Sequence, residues 1–364
     1  MAAARGAAGS ADASVKGISR FLSNARFDWQ TLLEPLYGKA RTRFLSDDKV
    51  LGLIDLTPVE KPYAHRMEGL CRVMKNDRSG TTRGYEMVTI LLRRGEKTGL
   101  GYNRLFSHEA EAMSQNQEID QAMSLLRRRL PNGLKIIWVW DRGFDDRKNY
   151  QRVTGWRDDF VGRVYHNRLV KVGGRWRYLL SWGRRLSVQS EFRVKLSFGG
   201  RQRRVRIGLS WGKFEFEGKR LWLIRAQLLW IEGMAVDQIE DRDWWLVSSI
   251  PIRSKHAAQT IWGYYRKRWE IESFFKLLKE GLELEGFQVL KLEAIRRLTA
   301  LVIIAALFIY KLIGGITDQS IQLLFRLGGW SGRGKPGKLV LLRGLSVFLG
   351  YESVARFLQS TGFT

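Results

Sequence analysis

An aspartate stands inside an apolar run that otherwise reads as a buried strand. Residues 50–56 are Val-Leu-Gly-Leu-Ile-Asp-Leu, a short continuous apolar stretch of the kind covered on both faces in a core. A carboxylate carried into such a strand costs several kcal/mol unless it is protonated, paired or bound to a cation. Any fold for this chain must therefore bring a partner to Asp55. A second apolar run, Lys-Ile-Ile-Trp-Val-Trp at 135–140, is closed by Asp141 and turns at once through Arg142-Gly143-Phe144. An acid at the end of a core strand faces the rim where sites of open sheets lie. The ordinary alternative is an aspartate that caps the next turn.

The third informative stretch is 265–279, Tyr-Arg-Lys-Arg-Trp-Glu-Ile-Glu-Ser-Phe-Phe-Lys-Leu-Leu-Lys. It lacks Gly and Pro, and Ile271, Phe274, Phe275 and Leu278 repeat at helical spacing. One continuous helix is predicted. At about 100° per residue, Tyr265, Arg268, Glu272, Lys276 and Lys279 fall within an arc of roughly 80°. The ordinary reading is a solvated face with i,i+4 ion pairs, Arg268 to Glu272 and Glu272 to Lys276.

Between these landmarks the pattern is mixed α/β. Strands are predicted at 70–74 and 86–93 around a turn-rich 76–84, and a helix at 108–130 with Ser107 as its N-cap. Residues 163–229 change character: short runs punctuated by Gly alternate apolar with basic residues, the signature of an antiparallel sheet with Arg on one face. Only Glu191, Glu215 and Glu217 are acidic there. Residues 244–251 return to a core-like strand. At the start, 1–14 is Ala/Gly/Ser-rich without the apolar centre of a signal peptide and is expected to be disordered. Residues 17–43 read as short helices interrupted near Asn24 and Pro35, either a DNA-contacting lobe or a packing arm. The apolar run 298–310 is too short for a confident span and reads as a buried helix. A basic loop at 328–338 and a final helix at 339–358 complete the chain.

The 364 residues carry a formal net charge of +26, with 45% hydrophobic residues and 14 Trp. The chain is thus a folded protein with a polyanionic partner, most often nucleic acid. A membrane surface competes, but no amphipathic basic helix supports it. The single cysteine, Cys71, excludes an intrachain disulfide and a thiolate zinc site. His65, His108, His166 and His256 show no metal-ligand spacing. Three carboxylates on separate elements, Asp55, Asp141 and Glu272, instead suit phosphodiester chemistry, where hard divalent cations take a few carboxylates plus substrate oxygens.

Four blocks in this order resemble the DDE transposases of the insertion-sequence-four family, to which the Tn-five transposase belongs. They are Ile54-Asp55-Leu56-Thr57, Asp141-Arg142-Gly143-Phe144, the strand at 244–251, and the spacing Tyr265-x2-Arg268-x3-Glu272-x6-Lys279. The resemblance spans about 50–290. It implies an α/β protein whose RNase H-like catalytic core, a mixed sheet with flanking helices, is interrupted by a β-rich insertion and joined to helical N- and C-terminal segments. The expected organisation is a disordered start at 1–14, a helical DNA-contacting arm at 15–46 and a first core part at 47–162. A β-rich basic insertion at 163–240, a second core part at 241–315 and a helical tail at 316–364 follow.

By the same resemblance, Asp55, Asp141 and Glu272 would bind two Mg²⁺ ions, with Mn²⁺ as a substitute. Tyr265, Arg268 and Lys279 would hold phosphates of the transposon end, and Trp244 would stack on a flipped base. Trp244 and Trp245 point to opposite strand faces, so one is expected in the core and the other near DNA. Arg142 would either support the metal ligands from behind or contact a phosphate. Lys276 shares the helix face but lies outside the family spacing. The implied partners are double-stranded terminal inverted repeats, target DNA and a second copy of the chain in a synaptic dimer, acting on DNA in the bacterial cytoplasm without a membrane. The alternatives are a domesticated DNA-binding protein or an RNase H-like nuclease that no longer transposes.

Overall fold

The computed structural model describes residues 11–24, 26, 28–198, 201–313, 318–332 and 336–361. Two helices come first, α1 (Ala11–Ser23) and α2 (Trp29–Phe44). Of the start expected to be disordered, 1–10 lies outside the described residues, and α1 already occupies 11–14. Pro35, expected to interrupt, lies inside α2. The helix persists because Leu33, Tyr37, Ala40 and Phe44 bury one face, and such packing outweighs a roughly 3 kcal/mol proline penalty.

Next come four strands, β1 (Lys49–Glu60), β2 (Cys71–Met74), β3 (Thr81–Arg94) and β4 (Lys97–Phe106). The helix expected at 108–130 is broken into α3 (His108–Glu111) and α4 (Gln115–Arg129). Ala112 between them takes a left-handed φ of 47°, and Ser114 restarts the helix with a capping box to Gln117. Ser107 caps α3 as expected, accepting from Ala110 N–H. Then follow β5 (Lys135–Trp140), α5 (Arg147–Gly155) and β6 (Asp159–Arg163).

Beyond residue 163 lie β7 (Leu169–Val172), β8 (Arg175–Tyr178), α6 (Leu179–Gly183), β9 (Ser190–Phe198), β10 (Arg201–Phe216), β11 (Lys219–Ile231) and β12 (Asp243–Ser248). The helical remainder is α7 (Lys255–Arg266), α8 (Trp269–Lys276), α9 (Leu292–Ile313), α10 (Gln319–Leu327) and α11 (Lys338–Thr361). The apolar run at 298–310 lies within α9, and no helix among the described residues is long and apolar enough to cross a membrane. Of the basic loop expected at 328–338, residues 333–335 lie outside the described residues.

The strands form one mixed sheet of 12, in the order β2-β3-β1-β5-β6-β12-β11-β10-β7-β8, with β4 beside β3 and β9 beside β10. Strands β1, β5 and β6 are parallel neighbours, while β3 and β4 are antiparallel. This mixed α/β arrangement is consistent with an RNase H-like domain. The β-rich stretch after residue 163 continues the same sheet, because β12 pairs with β6 on one side and β11 on the other.

Alternation along the central strands divides the core in two. Leu51 and Leu53 of β1 and Ile137 and Val139 of β5 pack with Ile261, Ile271, Phe274 and Ile303 of α7, α8 and α9. Val50, Ile54, Ile136 and Trp138 pack on the other face with Met123, Leu126, Tyr150 and Val153 of α4 and α5. The period of two therefore carries Asp55 and Asp141 to the α8 face. Parallel pairing puts Leu53 opposite Val139, so the two aspartates, each two residues further on, leave adjacent strands at the same level.

Candidate active site

Glu272 reaches the same face from α8, but the helix that carries it differs from the continuous one predicted at 265–279. Helix α7 ends at Arg266, and Lys267 and Arg268 form a turn before α8 begins. After Lys276 the chain widens into a π turn, Leu277–Gly281. The predicted shared arc is thereby split. Arg268 and Glu272 stay together, whereas the wider turn carries Lys279 toward β1.

Arg268 is the centre of the arrangement and is only 6% exposed. Its guanidinium donates to Glu272 Oε1 at 2.6 Å and, more loosely, to Asp55 Oδ2 at 3.4 Å, a pair 213 residues apart in sequence. Its Nε is buried without a hydrogen-bond partner. Its remaining wall is Tyr265, whose ring lies 5.7 Å from the guanidinium carbon. The Tyr265 hydroxyl donates to Asp141 Oδ1 at 3.3 Å. Burial works to lower the Arg268 pKa, yet Tyr265, Glu272, Asp141 and Asp55 together hold it above its ordinary value.

The two aspartates are unequal. Burial pushes the Asp55 carboxyl up to about 7, helped by the charges of Asp141 and Glu272 and opposed by Arg268 and the Leu56 N–H. Burial also acts upward on Asp141, but Arg268, the backbone N–H of Arg142, Arg163 and the Arg142 side chain outweigh it, and its pKa is lowered. Burial pushes the Tyr265 hydroxyl up to about 12, so it stays a proton donor near neutrality.

The remaining predicted residues divide. Lys279 joins the rim, but its ammonium is held by protein groups: Pro58 O at 2.5 Å, Asn76 Oδ1 at 2.6 Å and Glu285 Oε1 at 3.3 Å. Lys276 is exposed and pairs only loosely, at 3.5 Å, with Glu280. Arg142 salt-bridges Asp241 at 3.0 Å, and Arg163 binds the other oxygen of that carboxylate at 3.1 Å. Trp244 and Trp245 do lie on opposite faces, Trp244 against the α7 side and Trp245 against the α6 side. Both are half-buried, so neither is a sealed core residue. Arg163, Asn76 and Glu285 were not anticipated. Each depends on pairing between distant segments, and none stands out by residue type.

Asp55 and Glu272 contact the buried Arg268 guanidinium, and Asp141 acts on it through space; carboxylate oxygens are the ligand type Mg²⁺ prefers. Among the described residues, no group of three His, Cys, Asp or Glu side chains stands close enough to share one ion. The profile of the family described as transposase DDE domain matches residues 107–308, more than half of the chain. The chain belongs to the DDE transposase family. The matched segment of this transposase includes Asp141 and Glu272 and begins after Asp55. Comparison with curated proteins gave no match.

Proposed function

We propose that this transposase binds the terminal inverted repeats of an insertion sequence and catalyses cut-and-paste cleavage and strand transfer, with excision through a hairpin intermediate, in the manner of the insertion-sequence-four family. The observation that carries the reading is the meeting of Asp55, Asp141 and Glu272 around Arg268, with Tyr265 on Asp141. Asp55, Asp141 and Glu272 would hold two Mg²⁺ ions, for which Mn²⁺ substitutes. When bound, such ions lower the pKa of an attacking hydroxyl and offset charge on the leaving oxygen.

The chain's own residues do the rest. Adjacent strands fix the two aspartates at one level. Arg268 offsets the charge of the acids, and Tyr265 orients Asp141 through its hydroxyl. Arg142, Lys276 and Lys279 would contact phosphates, Arg142 and Lys279 on release of their present protein partners, and Trp244 would stack on a flipped base, a contact worth roughly 1–3 kcal/mol. On the hairpin of β9 and β10, Arg193 faces Arg206 and Lys195 faces Arg204 across the strands. Arg204 is held by Glu232 at 2.8 Å and Arg206 lies 3.8 Å from Glu191, which leaves Arg193 and Lys195 as the cations of this pair of strands that a phosphate backbone would meet. Two copies pair two ends in a synaptic dimer, in the cytoplasm on nucleoid DNA.

The test is cleavage of DNA carrying the element's own termini with Mg²⁺ or Mn²⁺, comparing the unmodified protein with Asp141→Ala. Cutting by that variant at the unmodified rate would overturn the assignment. Trp244→Ala should slow hairpin formation more than the first nick; equal slowing of both steps removes its stacking role.

A further inference from the structure

Beside Asp141 lies a cleft of about 760 Å³ with Asp141 and Arg142 in its wall. Its volume falls within the range of about 300–1,000 Å³ typical of small-ligand sites. Four arginines from three segments line it: Arg78, the neighbouring Arg142 and Arg147, and Arg168. The aromatic rings of Tyr165, His166 and Phe216 share the lining. Tyr165 is 64% exposed, although its backbone is fixed.

That fixing is done by Asp145. Its Oδ2 accepts from Tyr165 N–H at 2.7 Å and His166 N–H at 3.0 Å. Its Oδ1 receives the Tyr150 hydroxyl and the Arg168 guanidinium, and Tyr150 is itself buried. Asp145 thus spends its acceptors on the wall. Asp146 is likewise engaged, accepting from Lys148 N–H as the cap of α5. What faces the cleft is the exposed Tyr165 ring beside Arg142 and Arg147, whose side chains are 37% and 60% exposed while they pair with Asp241 at 3.0 Å and Glu217 at 3.2 Å; Arg168 is committed to Asp145. Nothing in the packing of the chain needs Tyr165 to be there. Its ring meets His166 edge-on at 4.8 Å between centroids, and no core cluster includes it.

Cations that track a backbone, together with an exposed ring, are the elements of a single-strand site, because every base has a face to stack and every linkage a phosphate. We infer that this cleft takes an unpaired nucleotide of the DNA strand next to the scissile phosphate, with its base on Tyr165 and its phosphates drawing Arg142 and Arg147 from their surface carboxylates. The inference rests on the transposase reading and extends it to a station that Trp244 does not line.

The experiment compares two probes at fixed salt: a blunt duplex of mixed sequence, and the same duplex ending in a short oligothymidine tail. The unmodified protein should bind the tailed probe about tenfold more tightly, the order expected for one stacked base. Tyr165→Ala should remove that gain and Tyr165→Trp should keep it. A 2-aminopurine in the tail should be quenched by the unmodified protein and not by Tyr165→Ala. Because the Tyr165 side chain is exposed, the alanine variant is expected to fold, and near-ultraviolet circular dichroism checks that. Equal affinity for both probes, or a gain that survives Tyr165→Ala, overturns the cleft assignment while leaving the transposase reading standing. Failure of the unmodified protein to bind either duplex overturns both.

Discussion

Arg268→Met removes the cation that contacts both Asp55 and Glu272. Breaking a buried pair by deleting one partner typically costs about 3–5 kcal/mol, since the remaining charge is stranded. Here the lower end applies. The Glu272 side chain is 38% exposed, so water takes over much of its share, and the Asp55 contact is long at 3.4 Å. The burden falls on Asp55, whose carboxylate keeps the Leu56 N–H at 2.9 Å but loses its opposing charge. The expected loss is about 3 kcal/mol at pH 8, read from urea unfolding without divalent ions. In the Asp55→Asn background the same Arg268 substitution should cost roughly 1 kcal/mol or less, a coupling of about 2 kcal/mol. Saturating Mg²⁺ should restore the single variant more than it stabilises the unmodified protein. A loss below about 1 kcal/mol, or one of equal size in the two backgrounds, would refute the claim that Arg268 neutralises this carboxylate set.

Other parts of the molecule make independent predictions. A Cβ on Gly162 would stand 2.0 Å from Trp140 Nε1, in the stack of Trp140, Tyr150 and Phe160, so Gly162→Ala should cost roughly 3 kcal/mol and show as a lower Tm. Lys61 is buried beneath Phe287, and burial lowers its pKa to about 8 from 10.5, against the pull of Glu285. A lysine lowered on folding binds fewer protons in the folded than in the unfolded state. Stability should therefore rise between about pH 8 and pH 10.5, and Lys61→Met should lose that rise in urea titrations. Ser114→Ala deletes half of the capping box of α4 and should cost about 1 kcal/mol. Arg193→Ala and Lys195→Ala should each lower the salt slope of duplex binding by about one, with little loss of stability; unchanged slopes would place DNA elsewhere.

Much of the site could be read from residue order, because the two aspartates sit in apolar runs whose period and length are local properties. What could not be read lies in pairing and packing. Strand β4 was not anticipated: Gly99 and Gly101 weaken its pattern, and both are explained only by neighbours. A Cβ on Gly99 would meet Ala40 of α2 at 3.0 Å, and one on Gly101 would meet Leu126 of α4 at 3.1 Å. The break at Ala112 and the π turn after Lys276 are single-residue departures that a 3.6-residue period does not register. Lys279 is held by Pro58, Asn76 and Glu285, segments that meet only once β1 and β3 have paired. The Tyr265-Arg268-Glu272 grouping survived the helix break because the turn at 267–268 keeps helical dihedrals, with ψ of −14° and −34°.

The three acids are anchored with different stiffness. Asp55 lies in β1 and Asp141 directly follows β5, each two residues beyond the last paired rung, Leu53 with Val139, so their separation is tied to a hydrogen-bonded ladder. Glu272 rides an eight-residue helix with an irregular joint at each end. The acids therefore resemble a vice with one fixed jaw and one sliding jaw. Any change in the spacing of the acids falls to α8, and a staple across either joint would set the opening of the vice without touching any of the acids.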